Sequence, residues 1–350
     1  KVLVVEPGKV AAESQIRLWP QNLTTKKTAE NAADFWLTEK GIVYADREMI
    51  IHFGKYALKG ENVITANREN SFLITANEQN YFVVHLENPV AATNINELFN
   101  SLKQRQLLFP GVVTVKNVWL HPFSQGKILI GTLSAVYSLD MNKIQLEKIY
   151  GAENLSLLAM SDNEIFVANG KNKITAVNLV LKTKTTLPIK IGEGGSMRTN
   201  PNGTKIFILT EKNELLFYDR SAQKTENISS DAKDFFLSPE EKRIAIVKKN
   251  GGTEIFYLSD YENDTKETRG SIFKIPLPQK ETLSNFSWIQ GLPNQFLAMD
   301  GDNLLISEID SRPPLNFQIL AGGVKKYFLQ KKELFVLKEN GDLLQTELSF

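Results

Sequence analysis

Along the chain, short runs dominated by β-branched and aromatic residues are interrupted every few positions by Asn, Gly, Asp, Glu or Lys. Runs of this length with turn chemistry between them read as strands joined in hairpins. One unit, a strand, a turn and a second strand, recurs eight times. The copies are Gly41 to Gly54, Ser71 to Asn88, Lys127 to Asn142, Asn163 to Val180, Thr204 to Arg220, Lys242 to Asp260, Asn294 to Asp310 and Lys332 to Leu348. Their turns fall near positions 47, 79, 134, 171, 212, 251, 301 and 340, at intervals of 32 to 55 residues. A four-stranded propeller blade takes roughly 40 to 50 residues, so the spacing predicts one blade per hairpin.

Short apolar stretches precede the hairpins, among them Phe35-Trp36-Leu37, Val118-Trp119-Leu120, Phe235-Phe236-Leu237, Phe286 to Ile289 and Tyr327-Phe328-Leu329. These are expected to be innermost strands lining a central channel, with Trp36, Trp119 and Trp288 largely buried between blades. More polar stretches come after most hairpins (Ile144 to Tyr150, Thr185 to Lys190, Ile272 to Leu277, Asn316 to Leu320), as suits a half-solvated outermost strand. The expected fold is all-β, a β-propeller of four-stranded blades with one short helical insertion; a pair of sandwiches is the rival. Eight blades are favoured, with seven the alternative because the first interval is cramped. The eighth unit ends after its third strand, and Asn22 to Thr28 is expected to supply the missing one and latch the ring.

The interval between the second and third hairpins is long enough for an insertion, and Thr93 to Leu108 reads as a helix. Thr93 or Asn94 caps it, Glu97 falls in its first turn and Pro110-Gly111 stops it. Ile95, Leu98, Phe99 and Leu102 form an i, i+3, i+4, i+7 stripe. Such a stripe either packs onto the blades or stands free as a docking helix, and as candidate binding residues these four are the choice from sequence. A second long excursion, Gly251 to Gly270, reads as charged surface loop.

Composition narrows the function. With 42% hydrophobic and 23% charged residues, including 20 Phe and 9 Tyr, the 350-residue chain has the make-up of a soluble globular protein. Forty-one basic against forty acidic side chains leave a net charge of +1, no field for collecting nucleic acid or an anionic membrane. The absence of cysteine removes disulfides, thiolate nucleophiles and Cys-based metal sites, and leaves the compartment open. No apolar run approaches the roughly 20 residues needed to span a bilayer. The chain starts at Lys1 on a strand-like run and reads as a fragment or processed product.

Catalytic signatures are sparse. Gly192 to Arg198 holds glycines around Ser196 but breaks the nucleophile-elbow and dinucleotide patterns, and reads as a turn. Three histidines, His52, His85 and His121, show no metal spacing; His121, before Pro122, is expected to be the most exposed. Asp260 to Asp264 has alternating acidic residues but neither the glycine nor the bidentate glutamate of a calcium loop. Asp300 to Asn303 and Glu339 to Asp342 read as hairpin turns. Lys325-Lys326-Tyr327 with Lys331-Lys332 is the densest basic-aromatic cluster, diluted by Glu333 and Glu339. No catalytic residue, cofactor site or metal site is assigned. Carboxylate pairs contributed by different blades carry no local spacing by which to recognise them.

Residues 1–20 resemble the closing hairpin of a PEGA domain, through Val5-Glu6-Pro7-Gly8, Val10 and Ile16-Arg17-Leu18-Trp19-Pro20. From Asp34 onward the chain resembles the propellers joined to PEGA domains in bacterial envelope proteins, and more broadly TolB-type and WD-repeat rings, without the Trp-Asp and Gly-His pairs of the latter. The resemblance implies residues 1–21 as the end of a PEGA-like domain and 22–350 as the propeller, held outside the cytoplasmic membrane by an anchor upstream. The expected function is a non-enzymatic envelope module binding protein or glycan partners, with no nucleic-acid ligand and no cofactor. A propeller hydrolase or lyase acting on polysaccharide or peptide, and a structural surface-coat component, are the alternatives.

Overall fold

A computed structural model describes residues 25–38, 41–59, 62–66, 72–77, 80–86, 92–105, 113–170, 172–192, 194–260, 267–275, 283–309 and 317–348. The PEGA-like hairpin, Pro110-Gly111 and most of Asp260 to Asp264 lie outside these residues. The fold is that of an all-β, eight-bladed propeller with one short helix. It comprises eight four-stranded antiparallel sheets, seven of them meanders in chain order. The cramped first interval holds a full sheet because its third and fourth strands, Ile50–Phe53 and Tyr56–Lys59, are short and joined by a two-residue turn with Gly54 at φ 54°.

Two compact units divide the chain, one over Ala33–Glu211 with Leu216–Asn227, the other from Ile228 onward with Lys212–Leu215 and the N-terminal strand. Within each unit, cores form where the faces of successive sheets meet. In the second strand of the third sheet, Lys127–Gly131, Ile128 and Ile130 enter one cluster with Phe99 and Tyr137, while Leu129 enters another with Val167 and Leu179. The seventh sheet does the same, Phe296 and Ala298 facing one cluster, Leu297 and Met299 the next. Side chains alternate across a strand, so a strand covered on both faces must be apolar throughout, which accounts for runs such as Ile128 to Ile130 and Ile244 to Val247.

The eighth sheet is the exception to chain order. Its outermost strand is Lys26–Ala29, paired antiparallel to Leu343–Glu347 with Lys26 opposite Gln345 and Lys27 opposite Leu344. Lys27 pairs with Asp342 at 2.8 Å, and Ala32 N–H donates to the Gly341 carbonyl at 2.8 Å. Gly341 sits at φ 93°, and a Cβ there would come within 3.0 Å of the Asn31 backbone, so the position requires glycine.

The tryptophans divide. Trp288 is buried, donating its indole N–H to the Phe236 carbonyl at 3.0 Å. Trp36 and Trp119 are partly buried, each packed against the margin of a cluster. Trp119 lies across Gly131, where any Cβ would fall 2.7 Å from its ring.

The helix runs over Ile95–Arg105 and starts directly off the fourth strand of the second sheet, Ala92–Asn94. That strand takes Thr93, so Asn94 is the cap: its Oδ1 accepts the N–H groups of Asn96 and Glu97, and its Nδ2 donates to Glu97 Oε1.

Candidate binding surface

The stripe proposed from sequence faces inward. Ile95, Phe99 and Leu102 are buried in the cluster that includes Phe72, Val118 and Tyr137, and Leu98 packs partly buried against it. Phe99 meets Tyr137 edge-on at 5.1 Å, and the buried Lys103 donates to Tyr137 OH at 3.0 Å. A face used to complete the core offers nothing to a partner, and the docking reading of these four residues gives way to packing.

The three histidines stay apart. His52 Nε2 lies 2.8 Å from Asp46 Oδ2 in the first sheet, and His85 packs edge-on against Phe72 in the second. His121, expected to be the most exposed, is 4% exposed. Phe123 packs edge-on against its imidazole at 4.6 Å. The basic-aromatic cluster also dissolves, because Tyr327 is buried and donates to the carbonyls of Asn285 and Leu297. Around Ser196 the chain makes a turn, with Gly194 at φ 71° and Gly195 N–H donating to the Gly192 carbonyl, before entering the strand Ser196–Thr199.

The surface with binding chemistry is one that sequence reasoning passed over. In an antiparallel meander the turns alternate between the two ends of a sheet, so the first and third turns share an end. In the third sheet these are residues 121–126 and 141–144, joined where Met141 N–H donates to the Gly126 carbonyl. The corresponding turn of the fourth sheet, residues 179–183, reaches over the third: Lys182 Nζ lies 2.7 Å from Glu147 Oε1. Beside it, Lys184 Nζ stands 5.2 Å from the centre of the Tyr150 ring.

Local chemistry sets both turns. Asp140 Oδ1 accepts the N–H groups of Asn142 and Lys143, and Asn178 Oδ1 those of Val180 and Leu181. Ile144 and Lys182 then take left-handed conformations, φ 52° and 58°. The result is a rim carrying Phe123 (45% exposed), Ile144 (44%), Val180 (57%) and Leu181 (71%). Four of the nine large hydrophobic side chains exposed among the described residues thus gather on two neighbouring sheets.

Beneath this rim, His121 Nδ1 is buried without a hydrogen-bond partner. Burial, and then the charges of Lys127 and Lys182, push the His121 pKa down to about 4, so the imidazole is neutral at neutral pH. Among the described residues Lys127 and Lys143 form no ion pair, and no group of three or more His, Asp or Glu is placed to hold a metal ion. What the rim can do is bury apolar surface and attract negative charge.

No family model matches this chain, and no curated protein does either. Solved structures share its fold. Hsv2 from Kluyveromyces lactis aligns at 10% identity over 83% of this chain and 99% of its own, with a TM-score of 0.52. BamB from Moraxella catarrhalis aligns at 11% identity over 93% and 99%, with a TM-score of 0.53. The tricorn protease aligns at 11% identity over 88% of this chain with a TM-score of 0.50, and this chain spans only 37% of it. At such identities the likeness is one of fold alone: the chain is an eight-bladed β-propeller, and its function has to be argued from its own surface.

Proposed function

We propose that the chain is a non-catalytic binding module that engages a protein partner through the rim of its third and fourth sheets, in an envelope protein held outside the cytoplasmic membrane. The observation that carries the reading is the gathering of Phe123, Ile144, Val180 and Leu181 on one rim. Contiguous exposed apolar surface on a soluble fold marks interaction sites. An apolar rim suits a protein better than a glycan, whose hydroxyls need hydrogen-bonding side chains that these four positions lack. The setting outside the membrane is supported by the PEGA-like residues Val5 to Gly8 and Ile16 to Pro20.

The test is photo-crosslinking in the source cell, with a benzophenone amino acid at position 181 or, on the opposite end of the third sheet, at Leu133, which is also exposed. A discrete adduct from position 181 with none from 133, formed in the envelope fraction, is the expected result. Equal labelling from both positions, or no adduct from 181, overturns the rim; adducts confined to the cytosolic fraction overturn the setting.

A further inference from the structure

Two ammonium groups on the rim stand without an ion-pair partner among the described residues. Lys182 has Glu147, both side chains being half-exposed. Lys143, next to Ile144, and Lys127, next to His121 in space, have no ion-pair partner among the described residues. The groups that act electrostatically on His121 are both cations, Lys127 and Lys182. Apolar side chains beside unpaired ammonium groups are complementary to a segment with the reverse pattern, aliphatic residues around a carboxylate.

Taking the rim as the binding surface argued above, we propose that it docks an extended peptide segment of a partner protein carrying an Asp or Glu between aliphatic residues. The aliphatic side chains cover Phe123, Ile144 and Leu181, and the carboxylate lies between Lys143 and Lys182. A peptide fits better than an anionic lipid surface because of His121. Its Nδ1, buried and unpartnered in a ring that packs against Phe123, is a directional hydrogen-bonding atom. A peptide amide or side chain can satisfy it and an acyl chain cannot.

The experiment pans phage-displayed random peptides against the immobilised whole chain and measures binding of the enriched peptides by fluorescence anisotropy. Wild type is compared with Lys143→Glu, Leu181→Ser and Leu133→Ser, all at exposed positions, so melting midpoints should coincide. The expected peptides carry Asp or Glu flanked by Leu, Ile, Val or Phe. Lys143→Glu should weaken them about tenfold and make binding less sensitive to salt. Leu181→Ser should weaken them by a similar factor, and Leu133→Ser should leave them unchanged. Enriched peptides without acidic residues that still depend on Leu181 would overturn the carboxylate while leaving the rim as a binding surface. Peptides indifferent to Leu181 and Lys143 would overturn both. Sedimentation with phosphatidylglycerol vesicles that is lost in Leu181→Ser, or self-association in the ultracentrifuge lost in the same variant, would replace the peptide by a membrane or by a second copy.

Discussion

At the scale of single residues, the buried polar groups make the sharpest predictions. His121 is neutral in the folded chain down to about pH 4, whereas an unfolded histidine takes up its proton near 6.5. Between those values the unfolded state binds the extra proton, so stability falls as pH drops from about 6.5 to about 4, by up to about 3 kcal/mol. Asp46, Asp231 and Asp342 are held below the usual carboxylate range by hydrogen bonds from His52, Lys248 and Lys27 respectively. Their contribution is lost only as pH falls below about 4. Urea titrations of wild type and His121→Leu across pH 7 to 4 should therefore show a flatter profile for the variant; parallel profiles would contradict the assignment. Arg243 is a second case. Fully buried, it donates to Glu240 Oε1 from Nε and Nη2, at 2.9 and 2.6 Å, and to Asn294 Oδ1, and its guanidinium lies 4.9 Å from the centre of the Trp288 ring. Glu240→Ala removes a doubly hydrogen-bonded carboxylate from a buried guanidinium and should cost about 3 kcal/mol in chemical denaturation.

Among the elements, the helix Ile95–Arg105 decides between two readings that its sequence leaves open. An amphipathic stripe states that one face is apolar, and says nothing of what meets it. Here the stripe meets Phe72, Val83 and Tyr137, and Asn100 ties down the returning chain by exchanging hydrogen bonds with Val113 at 2.8 and 3.3 Å. Burying a carboxylate at Phe99 should then destabilise the fold by several kcal/mol, of the order of 4. Asn94→Ala, which removes only the cap, should cost about 1 kcal/mol. Equilibrium denaturation of both variants checks the ratio; a Phe99→Asp chain as stable as wild type would mean that the helix does not pack as described. Lys103 shows how tertiary contacts extend a buried face beyond its apolar residues, since its stem is covered while its ammonium reaches Tyr137 OH.

For the whole molecule, the arrangement of the eighth sheet matters most. The strand Lys26–Ala29 completes a sheet whose other three strands come from the C-terminus, so residues distant in sequence share one hydrogen-bonded ladder. Removing residues 1–29 leaves Leu343–Glu347 as an open edge and deletes the Lys27–Asp342 pair. The truncated chain should melt at a lower temperature and self-associate through that edge. Calorimetry and sedimentation velocity read the two effects, and an unchanged midpoint with a monomeric profile would refute the role of the strand.

Much of this architecture arises from local chemistry and can be read in one dimension. Hairpin period, turn residues and two-sided apolar runs come from strand geometry and from burial on both faces, both of which operate over a few residues. The eight repeats, the N-terminal latch and the helix around Ile95 to Leu102 were legible for that reason. The rim was not. Phe123, Ile144, Val180 and Leu181 come from three turns on two sheets, and each taken singly is an ordinary hydrophobic residue of the kind any surface carries. The burial of His121, whose place before Pro122 pointed the other way, is likewise a matter of tertiary packing, in which Phe123 meets its ring edge-on. Only the stacking of the third sheet against the fourth, sealed by contacts such as Lys182 to Glu147, turns scattered residues into a surface, because proximity between turns is set by sheet packing rather than by distance along the chain.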